Sequence, residues 1–143
     1  MIRVTADSNI YISAFHFRGT TERLLTLAAE GKIELAISDH IVEEVSRTLR
    51  EKFDWPEDRV NQAKRIMGRI ARRVVPSQTL NVIKEDDADN RVVECAVEAG
   101  SEYIVTGDKD LHRMRQYGNI RVLKVADILD LIQGKGMPSP GPQ

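Results

Sequence analysis

Apolar residues along this chain fall into two repeating patterns. Short, β-branched runs occur at 2–5, 33–37, 103–106 and 120–123, with the length and composition of buried strands. Between them, over roughly 20–30, 39–53, 57–73, 88–99 and 125–132, apolar residues recur three and four apart, the spacing of helices with one buried face. Val74-Val75 suggests a fifth strand, and 80–83 competes for that place. Strands alternating with helices predict right-handed crossovers and an α/β fold around a mostly parallel sheet.

Helix stops and starts fit this division. Gly31 and Gly100 follow the helices at 20–30 and 88–99, where a left-handed C-terminal residue is expected. Ser38 or Asp39 can cap the helix at 39–53, and Pro56 suits the first turn of the next. Residues 134–143 show no apolar periodicity, which predicts a domain over 1–133 followed by a mobile tail.

The length, 143 residues, suits one domain with a real core, and 41% hydrophobic against 30% charged residues is ordinary for a globular protein. No apolar run approaches the roughly 18 residues of a membrane span, so no membrane association is expected. Residues 1–4 lead straight into a strand pattern, unlike a signal peptide. Cys95 is the only cysteine, which excludes a disulfide framework, argues against a thiolate zinc site and makes a reducing cytoplasm the default location. A net charge of −1 argues against a simple nucleic-acid-coating protein. It leaves room for an enzyme whose acidic site offsets a basic groove.

Four acidic positions stand out by location. Asp7 and Asp108 each follow a strand at its carboxyl end, where open parallel sheets bind ligands if the strand order reverses there. Each could equally be a helix N-cap. Asp89 falls on the inward stripe formed by Val92, Val93, Ala96 and Val97, where an unpaired charge is costly. It needs a cation or a basic partner, or else serves the dipole at a helix start. Asp86 lies nearly on the same face, and Asp87 points away. In the helix at 39–53 the core stripe is Ile41, Val42, Val45, Leu49 and Phe53. Glu44 flanks it and Glu43 lies further round, so geometry favours Glu44 only slightly, and either could be merely solvated. Carboxylates that gather repel one another unless a cation neutralises them, and oxygen-only ligands select Mg²⁺ or Mn²⁺.

Taken together, these stretches resemble the PIN-domain nucleases, specifically the bacterial branch described as toxin components of toxin–antitoxin pairs. The resemblance is carried by residues 4–9, 41–49, 86–93 and 103–111, and extends from about Ile2 to Leu131. It implies a three-layer sandwich around a central, mostly parallel five-stranded sheet. It also implies a catalytic and metal-binding set of Asp7, Glu44, Asp89 and Asp108, with Asn9, Thr106, Asp110 and Asp86 as auxiliaries and Mg²⁺ or Mn²⁺ as cofactor. The function implied is cleavage of single-stranded or structured RNA, with a small antitoxin protein as partner and a homodimer as the assembly. The first motif has Ser8 where Thr is commoner, which keeps the hydroxyl.

Arg91, Lys109, His112, Arg113 and Arg115 lie near Asp89 and Asp108 in sequence and are the candidates for gripping substrate, Arg91, Lys109 and Arg113 foremost. Arg65, Arg69 and Arg72 would share one face of the helix at 57–73, read as a solvated face. His16, His40 and His112 show no ligand spacing and are expected at the surface. Trp55 is expected to pack a turn, and Cys95 to be structural. A haloacid-dehalogenase-type phosphatase needs a second Asp where Asn9 stands. A phospho-receiver domain needs an acid pair at the first strand and a Lys after the last. The remaining rival is a non-catalytic scaffold of the same fold that binds RNA or an antitoxin.

Overall fold

The computed structural model describes residues 1–84 and 86–134. The tail expected at 134–143 therefore lies, from 135 onward, outside the described residues. The elements run β1 (Ile2–Ala6), α1 (Ser8–Ile12) continuing as a π-helical turn (Ser13–Phe17), α2 (Thr20–Ala29), β2 (Ile33–Ile37), α3 (Asp39–Glu51), α4 (Glu57–Ile70), β3 (Ala71–Arg73), α5 (Asp87–Ala99), β4 (Tyr103–Val105), α6 (Lys109–Met114), β5 (Gln116–Tyr117), β6 (Ile120–Leu123) and α7 (Val125–Ile132).

The strands form one sheet in the order β3-β2-β1-β4-β6-β5. All neighbours are parallel except β5 and β6. The chain moves outward from β1 through β2 to β3, then returns across to β4, so strand order reverses between β1 and β4. Right-handed crossovers place the outward and returning connections on opposite faces. Accordingly α5 packs on β1, β2 and β4, while α2 contacts α1, α4 and α7 in the other layer. The sandwich encloses a continuous core in which Val4, Ile37, Ile104, Leu24, Val45, Met67, Val93 and Ile128 are fully buried.

The sheet has six strands rather than five. The addition is β5, two residues that pair antiparallel with β6 through Gln116↔Arg121 and Tyr117↔Ile120. So short a strand carries no readable periodicity; its turn is made by Gly118 at φ 59°. The strand expected at Val74-Val75 is instead Ala71–Arg73, and 80–83 is not a strand. Here tertiary pairing overrides helical spacing. Ala71, Arg72 and Arg73 align with Leu35, Ala36 and Ile37 of β2, and Arg72 and Arg73 form ion pairs of 2.7 Å with Glu34 and Asp39. Arg72 therefore leaves the helical face that Arg65 and Arg69 occupy. Ser38 caps α3 by accepting from the Ile41 amide, and Gly100 ends α5 in the left-handed conformation. Pro56 is the N-cap of α4 rather than a first-turn residue.

Candidate metal centre

The reversal point brings the acids together. Because β1 and β4 are neighbours, their carboxyl ends lie side by side, and the Asp7 amide donates to the Val105 carbonyl at 3.2 Å. One residue further along, the buried Thr106 hydroxyl joins the two loops. It donates to Asp7 Oδ2 and accepts from the Asp108 amide at 2.9 Å. A single hydroxyl thus sets the separation of Asp7 from Asp108.

Asp7, Asp86 and Asp108 are the N-caps of α1, α5 and α6, so three helix starts converge on the site. Asp7 Oδ1 accepts from Ile10 N–H at 3.1 Å. Asp86 Oδ1 accepts from Ala88 and Asp89, and Asp108 Oδ1 accepts from Asp110 and Leu111. The positive ends of these helices favour anionic side chains.

Asp89 does not cap. It sits in the first turn of α5, 6% exposed, and its Oδ2 is buried without a hydrogen-bond partner. One carboxylate oxygen each from Asp86, Asp89 and Asp108 lies within 4.8 Å of the others. Burial first, then a hydrogen bond with Asp108 and the charges of Asp108, Asp86 and Asp7, push the Asp89 carboxyl up to about 8. Burial likewise raises Asp7 to about 6 against the lowering effect of Thr106 and Ile10, with Asp108 and Glu44 adding to the rise. At neutral pH the Asp89 carboxyl is therefore mostly protonated and Asp7 mostly ionised. An orphaned buried oxygen among oxygen-only donors fits a hard divalent ion.

Glu44 reaches the edge of this group through Ser8, whose hydroxyl donates to Glu44 Oε1. Glu44 is half-buried and Glu43 exposed, which separates the two candidates. The tightest grouping includes Asp86, read from sequence as an auxiliary, while Asp7 and Glu44 flank it. Asn9 is exposed, and Asp110 is paired with Arg113 at 3.0 Å. Arg91 is held by Glu94 at 2.8 Å and by the Leu80 carbonyl, so much of its charge is already used. Lys109 is exposed and in no ion pair among the described residues.

Sequence reasoning missed several supporting groups. Asn90, fully buried, accepts from the Val82 and Ile83 amides and donates to the Ile83 carbonyl, holding the loop that delivers Asp86. Its place on the buried face beside Asp89 was the available signal. His112 is half-buried rather than a free surface residue, with Nε2 2.6 Å from the Thr106 carbonyl. His16, whose Nδ1 accepts from the Trp55 indole at 3.3 Å, belongs to an aromatic cluster with Phe53. Trp55 and Cys95 are buried, as expected, and burial raises the Cys95 thiol to about 11.

An α/β sandwich with carboxylates gathered at the reversal point of its sheet defines the class to which the comparisons assign the chain. A family model described as PIN domain matches residues 3–110, and the chain belongs to that family. None of the curated proteins matches it. Among solved structures it is similar to the crystal structure of VapBC2 from Rickettsia felis bound to a DNA fragment from their promoter. That match has a TM-score of 0.60 and 15% identity, and covers 86% of this chain and 98% of that one. At this identity the likeness is one of fold.

Proposed function

We propose that this protein is a divalent-metal-dependent endoribonuclease that cuts phosphodiester bonds in single-stranded or structured RNA, and the toxin of a toxin–antitoxin pair. The observation that carries the catalytic part is Asp89 Oδ2, buried and unpartnered within a carboxylate triad at the sheet's reversal point. In this reading Asp7, Glu44, Asp89 and Asp108 are the catalytic ligands. Asp86 completes the tight group, and Thr106 and Ser8 fix the positions of Asp7 and Glu44. Asn9 and Asp110 flank the set. Lys109 is the unpaired candidate among the described residues for meeting the substrate's negative charge, with Arg113 and Arg91 already paired to Asp110 and Glu94.

A bound Mg²⁺ or Mn²⁺ supplies a water of lowered pKa and offsets charge on the phosphate and leaving oxygen. The chain's own contribution is rigidity. Helix caps and the Thr106 hydroxyl hold the carboxylates in place before any ligand arrives, which lowers the reorganisation needed at the moment of reaction. Membership of the PIN domain family and the likeness to the VapBC2 structure support a toxin with a small antitoxin partner. A homodimer in the cytoplasm goes with that reading. No helix among the described residues is long and apolar enough to cross a membrane.

The test is cleavage of a labelled single-stranded RNA. It should require Mg²⁺ or Mn²⁺, stop in EDTA and return with excess metal. Cleavage unchanged in EDTA overturns the metal mechanism. Metal binding and RNA binding with no cleavage of any RNA would favour the non-catalytic scaffold.

A further inference from the structure

We propose that the pocket between α6 and the β5–β6 hairpin is a phosphodiester subsite, holding a backbone phosphate of the nucleic-acid strand next to the one at the acids. This rests on the nuclease reading above and extends it to a pocket where the fold joins His112 and Arg115, near the acids in sequence, to Gln116 and Arg121 of the hairpin.

The pocket, about 480 Å³, is lined by His112, Arg115, Gln116, Arg121 and Val122. Two guanidinium groups, an imidazole and an amide line it with no carboxylate among them. Other clefts near the acids are of mixed sign. One of about 200 Å³ beside Glu44 sets Glu43, Glu44 and Asp87 against His40, Arg47 and Arg91. A polyanion gains little where carboxylates share the wall, so charge selects the α6 pocket.

The cations of this pocket are also uncommitted. Arg115 and Arg121 form no ion pair among the described residues, whereas Arg72, Arg91 and Arg113 are each tied to a carboxylate. Arg115 further sits at φ 68°, ψ −50°, a backbone conformation disfavoured for any residue with a Cβ. It is fixed there from both sides. Its amide donates to the His112 carbonyl at 3.1 Å, and its carbonyl accepts from the Val122 amide at 2.9 Å. Glycine would adopt this geometry with less strain, yet the chain places an arginine there, at the mouth of a basic pocket.

The pocket is also mechanically joined to the acids. A carbonyl oxygen only accepts, so His112 Nε2 carries the hydrogen in its 2.6 Å contact with Thr106 O. The Thr106 hydroxyl is the group that spaces Asp7 from Asp108. His112 lies one turn beyond Asp108 on α6, its amide donating to the Asp108 carbonyl at 3.1 Å. One turn is about 5.4 Å of helix axis, which an adjacent nucleotide of an extended strand can cover.

The experiment measures binding of a short, fluorescein-labelled single-stranded RNA by anisotropy in EDTA, across a salt series. The variants are Arg115→Gly, Arg115→Gln, Arg121→Gln and, as a control on the exposed face of α4, Arg69→Gln. Each pocket variant should bind several-fold more weakly at low salt and lower the slope of log K against log salt by about 0.7, the value for one lost contact with a single strand. Arg69→Gln should keep the wild-type slope. Arg115→Gly should melt no lower than wild type because it relieves the left-handed backbone, so its weaker binding cannot be ascribed to unfolding. Wild-type slopes in Arg115→Gly and Arg121→Gln overturn the subsite even if the wild-type protein cleaves RNA with Mn²⁺. Flattened slopes in a protein that never cleaves uphold the subsite and remove the nuclease reading. A wild-type protein that neither binds nor cleaves RNA overturns both.

Discussion

At the scale of single residues, the carboxylates divide by which oxygen is already in use. Asp7, Asp86 and Asp108 each spend Oδ1 on capping a helix. Capping and ligation are therefore compatible roles: the second oxygen of Asp86 and of Asp108 is left free by the cap, while that of Asp7 also accepts from the Thr106 hydroxyl. Asp89 caps nothing and has a buried oxygen with no partner, which makes it the most informative position to change. Its carboxyl is held up to about 8 and shares a hydrogen bond with Asp108. Near neutral pH in metal-free protein it is mostly uncharged, so Asn mimics it closely. Asp89→Asn should leave the EDTA-treated protein as stable as wild type or more so, should lose the gain that Mn²⁺ gives wild type, and should abolish cleavage. A residue serving only the helix dipole would instead cost about 0.3–1 kcal/mol on replacement, with or without metal. Thermal unfolding of both proteins in EDTA and in Mn²⁺ decides. A mutant that melts lower in EDTA, or gains as much from Mn²⁺ as wild type, removes Asp89 from the ligand set.

At the scale of elements, α5 does more than present Asp89. Buried Asn90 and Glu94, with exposed Glu98 near its end, clamp the preceding loop. Glu98 accepts from the Ser77 amide at 2.9 Å, Glu94 from the Leu80 amide at 2.7 Å, and Asn90 from Val82 and Ile83. The loop has no regular structure of its own over 74–84, so its backbone polar groups find partners on this helix. Asp86 lies at the end of that loop, and its carbonyl accepts from Asn90 Nδ2 at 3.3 Å. Asn90→Ala leaves the buried Ile83 amide and carbonyl without their partner. Each such orphan costs about 1–3 kcal/mol. The variant should therefore lower the urea midpoint and also reduce the Mn²⁺ stabilisation, since Asp86 is no longer held. A variant with lower stability but an unchanged Mn²⁺ increment would show that the clamp is structural alone.

At the scale of the whole molecule, the gathered acids couple global stability to pH and metal. Asp7 rises from 3.8 to about 6 and Asp89 from 3.8 to about 8 on folding. Above pH 3.8 the folded state therefore binds protons that the unfolded state has released. Stability from these groups is fully present below their unfolded pKa and is lost as pH rises through about 6 and then about 8. The slope is about −1.4 kcal/mol per pH unit for each extra proton held by the folded state. A divalent ion takes the place of those protons, so the increment from Mg²⁺ should grow over the same interval. At a hundredfold excess over its Kd a ligand adds about 2.7 kcal/mol. Urea titrations in EDTA and in Mg²⁺ at several pH values check this. A metal-free protein that gains stability between pH 5 and pH 8, with the same Mg²⁺ increment throughout, contradicts the assignment.

The chain's own patterns determined the α/β class, the strands at β1, β2, β4 and β6, the larger helices, and the inward placement of Asp89. All of these follow from local periodicity, because a strand or helix of several turns repeats its burial often enough to be read. The preference for Glu44 over Glu43 was faint in sequence, since two adjacent residues flank the same stripe. Only the Ser8 contact and the burial of Glu44 separated them. Tertiary structure alone decided that β1 and β4 are neighbours, which joins Asp7 to Thr106 across 99 residues and, through that one threonine, to Asp108. It also decided that 71–73 leaves a helical pattern to pair with β2, that two residues make a sixth strand, and that Asp86 is drawn into the triad. The physical reason is common to these cases. Each depends on a partner distant in sequence, and the energy of pairing or burial with that partner exceeds the local propensity that a one-dimensional pattern records.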